Sequence, residues 1–512
     1  MTRALLAGLF IALLPSGIGA QQLGVEEAAR TITDGDFRWR VGVMAHDSMQ
    51  GRDTPSRGLE QTAEWIASEF RRMGLRGGAE DGAFIQRYPL QSVLVDRDRS
   101  FLVSGSVRLQ YGADVLPLGG GLTDGETTAE VVLISGSTPP SGGFGREVRD
   151  KHVVIVREAG ATELGRSLFP LLGSLRSAEV ASVLVTSGAE SGAWAASGAR
   201  AFAPSVSKGW GDAPEPAGAT DFRPMLVMRT SSLERLISGR GVDVATLQAR
   251  SGATARVQVV EGLRLTLTQR VRSDVTSAPN VVGILDGSDP QLMKEFVVFS
   301  GHMDHVGMGT PDENGDSIFN GADDDASGTA AVIEVAEAMV DLPTAPKRSM
   351  IFLVVSGEEQ GLWGSEWYAE HPSAPIDDLV ADFNTDMVGR NWTDTIVAIG
   401  KEHSDLGETL NRVNGQHPEL RMTAIDDLWP EERFYFRSDH FNFARKGVPV
   451  LFFFNGTHED YHGRDDEPES IDAEKAARIA RLVFYLGVEV GNAADRPKWN
   501  PESYARIVSE VP

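Results

Sequence analysis

The chain contains no cysteine. That absence excludes disulfides, thiolate metal ligands, a cysteine nucleophile and an N-terminal lipoprotein anchor. Any metal site must therefore be built from His, Asp and Glu. Basic charge is scarce too: 48 Lys and Arg stand against 73 Asp and Glu, a formal net charge of −25. Such an acidic chain repels phosphate, so no nucleic-acid partner is expected. Histidine is limited to ten residues. Beyond the first twenty residues, no segment reaches the roughly eighteen uninterrupted apolar residues that a membrane span needs. The 41% hydrophobic and 24% charged residues are those of a globular protein, and 512 residues suffice for two or more domains.

Met1–Ala20 combines Arg3, an apolar stretch from Ala4 to Leu14, the breaker Pro15-Ser16-Gly17 and small residues before Gln21. This is the pattern of a secretory signal peptide cut after Ala20. The expected product is secreted or periplasmic, with no membrane attachment after cleavage. Residues 26–112 open the main domain with a helix whose apolar face is Ala63, Ile66, Ala67 and Phe70, ending at Gly74. Residues 113–260 differ in texture, with short β-type runs between Gly-, Ser- and Pro-rich turns, and read as a β-rich insert. Residues 262–492 complete the main domain, and 493–512 form a C-terminal tail.

Within 262–492, apolar runs alternate with helical segments. The runs are 280–285, 296–300, 349–356, 380–386, 395–399 and 448–454, and the helices include 329–339 and 473–490. Continuous apolar runs predict strands covered on both faces, hence an α/β fold with a mixed, largely parallel sheet sandwiched by helices. The chemistry follows the strands. Gly301-His302-Met303-Asp304-His305, Gly357-Glu358-Glu359, Asp386 and His458 to His462 each come just after a run. Asp323-Asp324-Asp325 precedes a helix. Singly, each cluster reads as solvated surface or helix capping. Together they describe one site beyond the carboxyl ends of the strands. Imidazole and carboxylate without thiolate suit zinc, manganese or cobalt, and their number suits a pair of ions about 3.5–4 Å apart sharing a carboxylate.

The segments 300–307, 320–339, 347–365, 382–389, 435–450 and 460–472, with weaker likeness at 45–58 and 277–290, carry a resemblance to the co-catalytic di-zinc aminopeptidase family. That family includes leucyl aminopeptidases, glutamate carboxypeptidase and the transferrin receptor. The resemblance implies a zinc exopeptidase fold in which 113–260 is an inserted protease-associated domain. It implies two Zn2+ ions, His302 and Asp386 on one, Glu359 and His462 on the other, and Asp324 bridging. Glu358 becomes the general base, and Tyr435 the phenol that stabilises the oxyanion. Asp304 orients His302, and Ser438, Asp439 and His440 support the ligands from behind. The Asp324–Asp325 peptide is expected in the cis form. Some relatives clamp the Tyr loop with a disulfide, which this chain cannot form.

The implied activity is that of an exported metallo-aminopeptidase acting on peptides. The alternatives are a carboxypeptidase or dipeptidase of the same superfamily, and an inactive receptor-like member, against which the intact ligand set argues. His305, His440 and His458 exceed the ligand count and are expected behind the ligands or in the pocket wall. Arg437 is expected to pair with Asp439, the alternative being a substrate carboxylate. Trp363, Trp392 and Trp429 are expected in the core.

Overall fold

The computed structural model describes residues 24–118, 122, 124–161, 168–211, 223–250 and 253–509. The expected signal peptide lies outside them. The chain divides into two compact units, one running to Tyr88 and resuming at Ser277, the other Pro89–Thr276. These limits correct the expected 113–260 insert, because residues on both sides of it belong to its sheet. Phe101–Ser104 and Val107–Gln110 pair with each other, and Phe101–Ser104 also pairs with Arg256–Gln269.

In the first unit, a sheet is built from β1 (Val271–Leu285), β2 (Phe296–His302), β3 (Ser349–Val355), β4 (Leu379–Thr385), β5 (Thr395–Ile399), β6 (Thr423–Ile425) and β7 (Val450–Phe454). Their spatial order is β6-β5-β7-β4-β2-β3-β1. The four central strands, β7, β4, β2 and β3, are mutually parallel, while β1 and β5 join them antiparallel. The mixed, largely parallel sheet is as expected. β6 is too short for its three residues to stand out as an apolar run.

Every residue of β3 and β4 is buried, because helices cover both faces. The helices are α1 (Asp34–Met44), α2 (Arg57–Met73), α3 (Gly328–Val340), α4 (Trp363–Glu370), α5 (His440–Ala444) and α6 (Ala473–Asn492). α2 starts at Ser56, whose hydroxyl accepts from the Leu59 N–H, and stops at Gly74 with φ 83°, the left-handed end that glycine tolerates. On one face Phe352 meets Phe70 of α2 and stacks on Phe299 at 5.4 Å. On the other, Ile351 and Leu353 join a cluster with Tyr368 of α4 and Phe443 of α5. A Cβ on Gly487 of α6 would lie 2.4 Å from the Phe299 ring, so only glycine lets that helix sit so close.

Residues 493–509 are no free tail. Trp499 donates its indole N–H to the Gly447 carbonyl at 2.8 Å, Arg348 donates to the Ala493 carbonyl, and Ile507 is fully buried in the same cluster as Phe443. Apolar side chains spaced through a polar segment hid this from the sequence.

Among its described residues, the second unit holds an eight-stranded mixed sheet, centred on Arg256–Gln269, Gly125–Ser135, His152–Val156 and Ser182–Ser187. It also carries helices, Phe169–Ser177, Ser191–Ala201, Thr230–Ile237 and Val244–Gln248. His152 is buried in its core, between the Leu265 carbonyl at 3.0 Å and Ser182 Oγ at 2.7 Å. Burial pushes its pKa down to about 4. Between that value and the ordinary 6.5, the unfolded chain takes up a proton that the folded chain refuses, so stability falls as pH drops through this window. We expect the unfolding temperature to fall less from pH 6.5 to 4 in His152→Gln than in the wild type. Parallel pH curves for the two proteins would contradict this.

Candidate metal centre

The parallel register brings the functional residues to one edge. His302 pairs with Val355, Ser300 with Asn384, and Thr385 with Phe453. β2, β3, β4 and β7 therefore end together, just before or at His302, Glu358, Asp386 and the loop to His462. Asp324 arrives on a wide turn, Ala322–Ser327, that leads into α3. The Asp324–Asp325 peptide is cis.

Among the described residues two groups of donors result, His302 with Asp325 and Asp386, and His305 with Asp324, Glu359 and His462. Asp324 spans both. Its Oδ1 is 3.4 Å from His302 Nε2, and its Oδ2 is 3.1 Å from His462 Nε2. His302 Nε2 is 3.6 Å from Asp386 Oδ1, and His462 Nε2 is 3.1 Å from Glu359 Oε1. Asp325 lies beside the first group with both oxygens engaged: Oδ1 accepts from the Gly328 and Met387 N–H groups and Oδ2 from that of His302. It ties β2, the turn before α3 and the end of β4 together.

Ligand orientation is set from behind. His302 Nδ1 is 3.2 Å from the Asp304 carbonyl. A carbonyl only accepts, so Nδ1 carries the proton and Nε2 faces the carboxylates. The Asp304 carboxylate also lies beside Nδ1, 3.6 Å away, while it accepts from Thr54 Oγ1 and the Glu358 N–H. Ser438 donates to Asp386 Oδ2 at 2.9 Å and accepts from Asn384 Nδ2, which leaves Asp386 Oδ1 toward His302.

Several expectations need correction. Tyr435 does not reach the site. Its ring packs among His403, His440 and Gly400, and its buried hydroxyl has no partner. The phenol in the cavity is Tyr461, stacked on His462 at 4.0 Å. His440 stacks on Phe452, and burial lowers its pKa to about 3, so it is a neutral wall residue rather than a support for a ligand. Burial raises Asp439 to about 7. Arg437 does not pair with Asp439; it lies over the Phe434 ring, 3.8 Å from Glu432. His458 is 3.4 Å from Asp323, away from both groups, and Trp392 is exposed, whereas Trp429 packs on Phe434 and Phe454 as expected.

Arg52 and Asp466 escaped the sequence reading. Arg52 is fully buried and donates to the carbonyls of Met44, Met303, Asn320 and Gly321. It thereby fixes the loop of His302 and the turn of Asp324 from one guanidinium. Burial lowers its pKa to about 10, against the pull of Asp466, Asp304, Asp324 and Asp325, so it stays charged at neutral pH. Asp466 accepts from the N–H groups of Asp323 and Asp324. An Arg or Asp in a polar segment reads as surface, so only the position of Arg52 within segment 45–58 hinted at its role.

Burial pushes the Glu358 carboxyl well up, helped by Asp439, Asp386 and Glu359 and opposed by His302. Burial would also raise Glu359, but His305 and His462 outweigh it and hold it low. His302 Nε2, His305 Nδ1 and Glu359 Oε1 are buried without a hydrogen-bond partner. Buried polar atoms of this kind call for a cation, and imidazole with carboxylate is the donor set of zinc.

Residues 280–487 match the family model described as Peptidase family M28. The match covers 280–487 of the 512 residues and makes this part of the chain similar to that family. Aminopeptidase YwaD of Bacillus subtilis is 26% identical over 273 residues, 50% of this chain and 53% of that protein. A probable zinc metalloprotease of Pyrenophora tritici-repentis is 28% identical over 279 residues, 46% and 55% respectively. The chain thus spans about half the length of these curated relatives. Among solved structures, BSAP, a zinc aminopeptidase from Bacillus subtilis, aligns over 90% of this chain and 95% of its own, with TM-score 0.52 and 15% identity. An aminopeptidase from Aneurinibacillus sp. strain AM-1 aligns over 93% and 97%, with TM-score 0.50 and 17% identity. These likenesses establish the fold.

Arg52→Met should leave the buried carbonyls of Met44, Met303 and Asn320 unpaired, at about 1–3 kcal/mol each, while Gly321 keeps the Ala326 N–H. We expect a clearly lower unfolding temperature, faster zinc loss to a chelator, and no rescue by Arg52→Lys, whose three donors cannot serve four carbonyls. Unchanged zinc retention in Arg52→Met would remove its positioning role.

Proposed function

We propose that this protein is an exported two-zinc aminopeptidase of the M28 peptidase family. The observation that carries the reading is the split carboxylate of Asp324, one oxygen toward His302 and the other toward His462. Asp324 would bridge two ions, with His302 and Asp386 holding one and Glu359 and His462 the other. Bound zinc would polarise the scissile carbonyl and acidify water. Glu358 lines the cavity beside His302, Asp324 and Asp386. There it would take the proton of the attacking water and return one to the departing amine. Its N–H is tied to Asp304 Oδ1, which keeps the residue in place beside its neighbour Glu359. The carboxylates around the cavity favour a protonated amino terminus. Met387, Phe434, Phe452 and Phe454 line its remaining wall and favour an apolar first residue.

Arg437 also lines this cavity, which favours a second reading, a carboxypeptidase that binds its substrate's terminal carboxylate there. Aminoacyl arylamides with and without chelator, set against N-acetylated peptides, separate the two. Chelator-sensitive cleavage of the free-amine substrates alone supports the first, and cleavage of the acetylated peptides alone supports the second. Glu358→Gln should keep its zinc and lose about 10²–10⁴-fold in kcat. Wild-type turnover in that variant would refute the base assignment. Export rests on residues 1–20, and the mature chain isolated outside the cytoplasm should begin at Gln21.

A further inference from the structure

We propose that His305 is itself a metal ligand, so that His305, Asp324, Glu359 and His462 close one ion with four protein donors. The other ion, held by His302, Asp324 and Asp386, then keeps an open position. This rests on the two-ion reading above and makes the two ions unequal.

Distances carry the argument. His305 Nδ1 is 2.9 Å from Glu359 Oε1 and 3.7 Å from Asp324 Oδ2. His462 Nε2 is 3.1 Å from each of the same two oxygens. Four donors at the usual zinc distances of about 2.0–2.2 Å, arranged as a tetrahedron, are separated by about 3.3–3.5 Å. The observed separations straddle that value. A hydrogen bond from His305 to Glu359 is the competing explanation. Yet at 2.9 Å neither Nδ1 nor Oε1 has a hydrogen-bond partner, so the two are close without being aimed at each other. Atoms aimed at a common third point have this relation.

The imidazole is also held for the task. His305 is fully buried. A Cβ at Gly321, where φ is 57°, would lie 2.5 Å from its ring, so glycine alone leaves room for the ring at the turn of Asp324. The first group lacks a matching fourth donor, because backbone N–H groups already occupy both oxygens of Asp325. A closed site retains its metal, whereas a site with a vacant position accepts substrate.

The test uses the full chain loaded with Co2+ and labelled with 15N at histidine. Among its ten histidines, three should show contact-shifted ring signals, and His305→Gln should remove one set. That variant should also bind one of its two ions at least 100-fold more weakly. Two shifted imidazoles in the wild type would overturn the proposal without recourse to any variant. Retention of every shifted signal in His305→Gln would do the same. Uptake of a single ion by the wild type would instead refute the two-ion reading, and a signal lost in His305→Gln would still assign His305 to that ion.

Discussion

Negative charge gathered in a dry place is the constraint around which this structure is arranged. Asp304, Asp324, Asp325, Asp386 and Asp439 are buried at one edge of a sheet whose strands are themselves buried. Desolvating a carboxylate costs several kcal/mol even after relaxation, unless a cation or a set of N–H groups meets it. The fold answers in three ways. Asp325 and Asp466 are met by backbone N–H groups, so their charge is spent on holding loops. Arg52 faces several carboxylates while bonding only to carbonyls, so it offsets charge without capping any ligand. The oxygens of Asp324, Asp386 and Glu359 that face imidazoles are the donors that could hold a metal ion.

Parallel topology makes this crowding possible. Strands that point the same way finish at the same edge, and each can deliver one polar residue there while its body stays apolar. That is why so much was legible in the sequence. β7 is an unbroken apolar run and β2, β3 and β4 are mostly apolar, with Asp382 and Asn384 buried inside β4, and the end of each run is where an open α/β sheet exposes its chemistry. His302, Glu358, Glu359, Asp386 and His462 could be placed by that logic before any coordinates.

What stayed hidden depends on direction rather than composition. Tyr435 and Tyr461 are equally plausible phenols on paper, but a short 3-10 turn, Phe434–Phe436, sends Phe434 into the cavity and Tyr435 into the core. Arg52 is a charged residue in a polar segment, and nothing local announces that four carbonyls from distant loops converge on it. The limits of the second unit were misjudged because Phe101–Ser104 and Arg256–Gln269 pair across more than 160 residues of sequence, a non-local fact that texture cannot carry.

The overall charge of −25 acquires a local meaning from these distinctions. Carboxylates bonded to N–H groups are architectural, and those facing His302, His305 and His462 are chemical. The two kinds alternate within a single tripeptide: Asp323 accepts from Gly389 and Ser327, Asp324 faces the imidazoles, and Asp325 binds backbone. A run of three acids reads as uniform in sequence. Its members separate only because the turn before α3 points successive side chains in different directions. The positive φ values at Arg52, Met387 and His462 mark the other places where backbone conformation, rather than residue type, aims a group at this centre. Strain tolerated at such positions is a sign that orientation there is worth more than local comfort.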